Sequence, residues 1–143
     1  MEIAVLACGC FWGPEIKFSR LDGVFKTEVG YCGGNTSKTS YQEVCEGDTN
    51  HAEVVKLDFD PKIISYEKIL DYFFEIHDPT TLNSQGPDFG TQYRSEIFYL
   101  NDEQKNIAKK ITEKYNKRYS GKVVTKISQI KNYCIAEEYH QKY

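Results

Sequence analysis

Cys10 stands in the string Gly9-Cys10-Phe11-Trp12-Gly13, between an apolar run that ends at Cys8 and a segment of helical spacing that begins at Gly13. A thiol at the first turn of a helix meets unsatisfied backbone N–H groups and the positive end of the helix dipole, and both favour the thiolate. Glycines on either side allow a tight turn and the close approach of a ligand. A lone cysteine more often packs as a small inert hydrophobe. Here the flanking glycines, the helix start and the adjacent aromatic pair reverse that expectation. Two consecutive bulky aromatics at a strand-to-helix turn cannot both face one core, so at least one of Phe11 and Trp12 is expected to line a pocket.

Glu53 is the second candidate. By alternation it points the same way as Val55, Leu57 and Phe59. If that face is the core, burial raises the carboxyl pKa and leaves a neutral acid able to give up a proton. Taken alone, a strand-end Glu turned to solvent is the somewhat commoner use. Tyr41, Tyr93 and Asp88 sit in polar stretches and offer two phenols and a carboxyl. Loop tyrosines packed flat, and an Asx-turn at Asp88, are the competing uses. His51 could pair with a thiolate, but a structural, hydrogen-bonding His51 is preferred. His77 is expected to end a helix, where a cation suits the dipole.

Five cysteines, an odd number, exclude a complete internal disulfide framework. Cys8 reads as a buried strand residue. Cys8, Cys10, Cys32 and Cys45 could supply four thiolates, but their spacing does not match the usual zinc knuckles, so no metal is expected. A hydrolase built on Cys10 and His51 would leave Glu53, the two tyrosines and the aromatic pair without a role.

The elements that must position these residues follow from periodicity. Residues 2–8 read as a strand buried on both faces. A helix is expected over 13–20, with Pro14 tolerated in its first turn. A strand over 24–31 places Phe25, Thr27, Val29 and Tyr31 on one face. Residues 32–51 read as a long loop by composition, and loops of that length in a compact domain tend to be functional. A strand over 53–60, a helix over 65–77 with Ile69, Leu70, Phe73 and Phe74 on one stripe, and a second irregular stretch over 78–95 follow. A strand over 96–100 leads to a helix over 102–119, with Asn101 as its N-cap, Gln104 at its third position and Gly121 as its stop. Residues 122–128 read as a last strand. The order implies an α+β fold, a mixed sheet with helices packed on it, and the two polar loops should meet beside the first helix.

The chain has 143 residues, 40% hydrophobic and 27% charged, and a net charge of -3. That length and composition fit one soluble domain over residues 1–143. Eighteen Lys+Arg against 21 Asp+Glu argue against a nucleic-acid partner. No apolar run reaches the ~20 residues that span a bilayer, and the start lacks a signal peptide's basic region, so a cytoplasmic protein without membrane contact is expected.

With GCFWGPE at 9–15, GYCGG at 30–34, YQEVCEGDTNHAE at 41–53, HDPTT at 77–81, GPDFGTQYRS at 86–95 and AEEYHQKY at 136–143, the chain resembles peptide methionine sulfoxide reductase A along essentially its whole length. The resemblance implies a ferredoxin-like two-layer core in a monomer, with no bound cofactor. It implies reduction of the S epimer of methionine sulfoxide, free or in oxidised proteins. Cys10 matches the nucleophile, Glu53 the acid, Tyr41 and Tyr93 the hydroxyls on the sulfoxide oxygen. Phe11 and Trp12 match the methyl pocket, and Asp88 a substrate-holding carboxylate. Cys45 matches a position without a resolving role.

Two departures stand out. Pro14 replaces a small apolar residue, and the Gly- and Cys-rich C-terminal tail of many members has no counterpart after AEEYHQKY. Cys32 and Cys134 are then the internal candidates to resolve a Cys10 sulfenic acid. An external thiol, from thioredoxin, glutaredoxin or a small thiol, is placed slightly ahead of them.

Overall fold

The computed structural model describes residues 2–9, 12–34, 51–85 and 88–137, without the side chains of Trp12, Ser84, Asp88, Phe89 and Thr91. Among these residues the chain forms β1 (Glu2–Cys8), α1 (Trp12–Ser19), β2 (Val24–Cys32), β3 (Ala52–Phe59) and α2 (Tyr66–Glu75). A short hairpin of β4 (Ser84–Gln85) and β5 (Asp88–Phe89) and a single 3-10 turn at Thr91–Tyr93 come next. β6 (Ser95–Tyr99), α3 (Asp102–Arg118), β7 (Lys126–Gln129) and β8 (Cys134–Ile135) complete the order.

Six strands lie side by side in the order β7-β6-β1-β3-β2-β8. The β6–β7 pair is parallel and every other pair is antiparallel, so the sheet is mixed. Within it, β6-β1-β3-β2 is wholly antiparallel, with α1 joining β1 to β2 and α2 lying between β3 and β6. Two interlocked split βαβ units of this kind define the ferredoxin-like arrangement. The expected α+β fold is the fold observed.

Both faces of the central strands are buried, for different reasons. Ala4, Leu6, Cys8, Val29, Tyr31, Val55, Leu57 and Phe59 meet Phe18 of α1, Ile69, Leu70, Phe73 and Phe74 of α2, and Ala108, Ile111 and Tyr115 of α3. On the other face Val5, Ala7, Cys32, Ala52, Val54 and Phe98 form a second cluster with Ile3, Ile130 and Tyr133, without helical residues. The second face explains why β1 reads as a continuous apolar run rather than an alternating one.

Capping fixes the helices where the sequence suggests. Ser65 Oγ accepts from Lys68 N (3.1 Å) at the start of α2. At α3, Asn101 Oδ1 accepts from Gln104 N (2.9 Å), while Gln104 Oε1 reaches back to accept from Leu100 N (3.0 Å). That is a reciprocal cap, shifted by one residue from the usual box.

Three expectations need correction. The register of β2 against β3 slips between Val24 and Lys26, so Phe25 leaves the inward face and is 63% exposed. The strand expected over 122–128 covers Lys126–Gln129, and it is not the last, because β8 follows it. The irregular stretch 78–95 holds the β4–β5 hairpin and the 3-10 turn.

Candidate active site

One end of the sheet gathers the described cysteines and Glu53, and antiparallel pairing is the cause. β1 ends at Cys8, whose partner on β6 is the first residue, Ser95. β2 ends at Cys32, paired with the first residue of β3, Ala52. β8 begins at Cys134, paired with Tyr31. Cys10 follows β1 by two residues and precedes α1, and Tyr93 closes the turn just before β6.

Cys10, Phe11, Tyr41 and Cys45 lie outside the described residues, as does the side chain of Trp12 and that of Asp88. Of the other candidates, Glu53 is 1% exposed. It is the in-register neighbour of the fully buried Tyr31 and shares the helix-covered side of the sheet with Cys8, Tyr31 and Val55. Of the two uses the sequence left open, the inward-facing carboxyl is the one observed. Tyr93 is half-buried, its N–H on the Gly90 carbonyl (3.1 Å). Asp88 is paired with Gln85 in the small hairpin.

The approach to Cys10 is shaped by Gly9 and Gln85. Gly9 has φ +96°, and a Cβ there would lie 2.7 Å from Gln85 Cγ. A side chain at position 9 is excluded twice over, by backbone conformation and by that contact. Gln85 is held in place: its Oε1 accepts from Asp78 N (3.0 Å), and its Nε2 donates to the Asp78 carbonyl and to Thr81 Oγ1 (3.1 Å). The HDPTT turn thus seats the β4–β5 hairpin, with Asp88, against the strand end that leads to Cys10.

His77 corrects an expectation. α2 ends at Glu75, and His77 turns inward instead of presenting a cation to the helix dipole. Nδ1 donates to the Phe73 carbonyl (2.5 Å), so Nε2 accepts from Ser95 Oγ (2.8 Å), which accepts in turn from Thr125 Oγ1 (2.7 Å). Burial pushes its pKa down to about 4, and the ring is neutral at physiological pH.

His51 is 1% exposed, and its Nε2 donates to the Asn132 carbonyl (3.2 Å). That is the structural use the sequence favoured. Among the described residues no group of three or more His, Cys, Asp or Glu is placed to hold a metal ion.

The two candidate resolving thiols sit differently. Cys32 is fully buried on the face away from the helices, and its Sγ donates to the Lys131 carbonyl (3.2 Å). Desolvation pushes it up to about 11, the nearby Glu96 adding to the effect. Cys134 is half-buried and lies on the Tyr31–Glu53 row. β8 had no signal as a strand in the sequence. Tyr31 Oη donates to Glu137 Oε2 (2.8 Å), and Arg94 Nε donates to Glu96 Oε1 (2.6 Å) as a buried ion pair. Tyr31 and Glu137 stand 106 positions apart in the sequence, so that contact exists only in the folded sheet.

A ferredoxin-like sheet that buries Glu53 at the end where β1 finishes at Cys8 is the frame the sequence assigns to thiol chemistry. The family model for peptide methionine sulfoxide reductase matches residues 2–143, and the chain belongs to that family. It is 76% identical to peptide methionine sulfoxide reductase MsrA of Pelagibacter ubique, over all of this chain and 97% of that one. A relative from Fragaria ananassa is 52% identical over 99% of this chain and 75% of its own length. The crystal structure of Mxr1 from Saccharomyces cerevisiae in reduced form superposes with a TM-score of 0.95 at 45% identity, covering 99% of this chain and 83% of that one. Mxr1 in complex with Trx2 superposes with a TM-score of 0.72 at 29% identity, covering 99% of this chain and 84% of that one. The chain is a methionine sulfoxide reductase, an oxidoreductase, and no helix among its described residues is long and apolar enough to cross a membrane.

Proposed function

We propose that Cys10 is the nucleophile and Glu53 the acid in reduction of the S epimer of methionine sulfoxide. The observation that carries this reading is a 1% exposed Glu53 at the sheet end to which β1 delivers Cys10. The Cys10 thiolate attacks the sulfoxide sulfur, which pushes negative charge onto the sulfoxide oxygen. Donors already aimed at that oxygen stabilise the charge as an oxyanion hole does. A neutral, desolvated Glu53 supplies the proton, and Tyr41 and Tyr93 donate hydrogen bonds without adding fixed charge. Phe11 and Trp12 enclose the methyl group, worth about 0.8 kcal/mol per buried carbon, and Asp88 holds the substrate.

The products are methionine and Cys10 sulfenic acid. Two equivalents of thiol then return Cys10 to its reduced form, releasing water and a disulfide. An external thiol does this, and a thioredoxin is the favoured source. Support comes from the Mxr1–Trx2 complex and from the two internal thiols themselves. With a pKa of about 11, Cys32 is thiolate in only about one molecule in 10⁴ at pH 7, and thiolate is the attacking form. On the Cys8–Glu53–Tyr31–Cys134 row, Cys134 is three strand spacings from Cys8, roughly 14 Å at about 4.8 Å per strand. A disulfide needs Cα atoms within about 7 Å.

Steady-state assay of both sulfoxide epimers with dithiothreitol tests the reading. Turnover of the S epimer alone, lost in Cys10→Ser, is expected. Equal turnover of the R epimer, or an active Cys10→Ser protein, contradicts it.

A further inference from the structure

We propose that Glu137 is a positioning residue for the reaction, holding by a hydrogen bond the Tyr31 side chain that stands beside Glu53. The inference rests on the reading of Glu53 as the acid and deepens it.

Tyr31 and Glu53 are directly opposite each other on β2 and β3. Residues paired in this way point to the same face, with Cβ atoms about 4.5–5.5 Å apart. Tyr31 is fully buried, so its ring is the wall that β2 presents to the acid. A buried phenol needs a hydrogen-bond partner for its hydroxyl. Tyr31 Oη donates to Glu137 Oε2 (2.8 Å).

Strand pairing carries Glu137 to this point. β8 sets Cys134 against Tyr31 and Ile135 against Gly30, and Ala136 N then donates to the Val29 carbonyl (3.0 Å). Ala136 and Val29 are buried on the helix-covered side of the sheet, the side that holds Tyr31. Strict alternation would send the next side chain, that of Glu137, to the other face. β8 ends at Ile135, however, and the Glu137 carboxyl meets the Tyr31 hydroxyl instead. The residue type suits the contact. A carboxylate accepts such a bond more strongly than a neutral group does. Gln keeps an acceptor oxygen without the charge, and Leu offers none.

The consequence falls on the proton transfer. The acid must come within hydrogen-bond reach of the sulfoxide oxygen. A misplacement of about 1 Å costs up to ~10² in rate. Glu137 fixes the Tyr31 ring, and the fixed ring sets the β2 side of the space in which the Glu53 carboxyl sits.

The test is a double-mutant cycle on Glu137 and Glu53. The readout is the rate at which reduced protein, without reductant, releases its first equivalent of methionine from N-acetyl-methionine (S)-sulfoxide. Thermal midpoints are measured alongside. Glu137→Leu is expected to lose about tenfold, and Tyr31→Phe, which cuts the same bond from its donor end, a similar amount. Tyr31→Phe carries the comparison alone where Glu137→Leu fails to fold. Glu137→Gln keeps an acceptor and should stay within about threefold of the native rate. In a Glu53→Gln background, Glu137→Leu or Tyr31→Phe should cost less than about threefold, since the group being positioned no longer supplies a proton. Undiminished rates in Glu137→Leu and Tyr31→Phe overturn the proposal. So does a Glu137→Gln protein as slow as Glu137→Leu. An equal tenfold loss in the native and Glu53→Gln backgrounds also overturns it, making Glu137 a general structural residue. A native rate in Glu53→Gln alone strikes the acid assignment itself, and the proposal with it.

Discussion

Glu53 is 1% exposed at the start of β3, in register with the fully buried Tyr31. A proton donor that works near neutrality needs that environment. Glu53→Gln keeps the shape and a donor but has no transferable proton, and its kcat/KM should fall by about 10²–10⁴. An unchanged rate would make the buried carboxyl purely structural. Tyr41→Phe and Tyr93→Phe should each cost less, because one hydroxyl still reaches the oxygen. Losing both together should cost more than the two single losses combined. At this scale the sequence was most readable. Two-residue alternation puts Glu53 on the face of Val55, Leu57 and Phe59, which the structure buries, and the preferred structural use of His51 is the one observed. His77 was misread because the sequence places it at a helix end. Only the folded chain shows Phe73 and Ser95 consuming its two ring hydrogen bonds, with Thr125 bonded to Ser95 in turn.

Elements carry two further consequences. The His77–Ser95–Thr125 chain joins α2, β6 and the approach to β7, and it needs a neutral ring. The folded pKa of about 4 lies below the ordinary 6.5, so between those values the unfolded chain binds a proton that the folded chain does not. Stability therefore falls as pH drops from about 6.5 toward about 4 and is undiminished by this group above 6.5. Thermal midpoints from pH 7 to pH 5 should decline in the native protein and decline less in His77→Gln. Equal slopes would place the acid sensitivity elsewhere. The second consequence concerns α3. Asn101→Ala removes the acceptor for Gln104 N and should cost about 1 kcal/mol, a midpoint shift of about 3 °C. Helices were legible because caps and apolar stripes are local. Phe25 was not, since a bulge depends on how β2 meets β3. β8 was not, since two residues become a strand only when an edge is there to receive them.

Across the whole molecule the described Cys8, Glu53 and Cys134 lie at one sheet end, and the described thiols are separated by face or by strand. Cys32 lies under the sheet near the buried Arg94–Glu96 pair, and Cys134 lies at the far edge from β1. The sequence could count these cysteines but not place them, because facing and strand order exist only after pairing. That placement leads to the central claim of a cycle in which Cys10 alone changes oxidation state before an external thiol restores it. The direct measurement is a single turnover. Fully reduced protein receives one equivalent of a methionine (S)-sulfoxide substrate without reductant, followed by a dimedone-type probe, thiol counting and mass spectrometry. The account predicts one equivalent of methionine, one thiol lost and the probe on Cys10. Two thiols lost, with Cys10 bridged to Cys32 or Cys134, would contradict it.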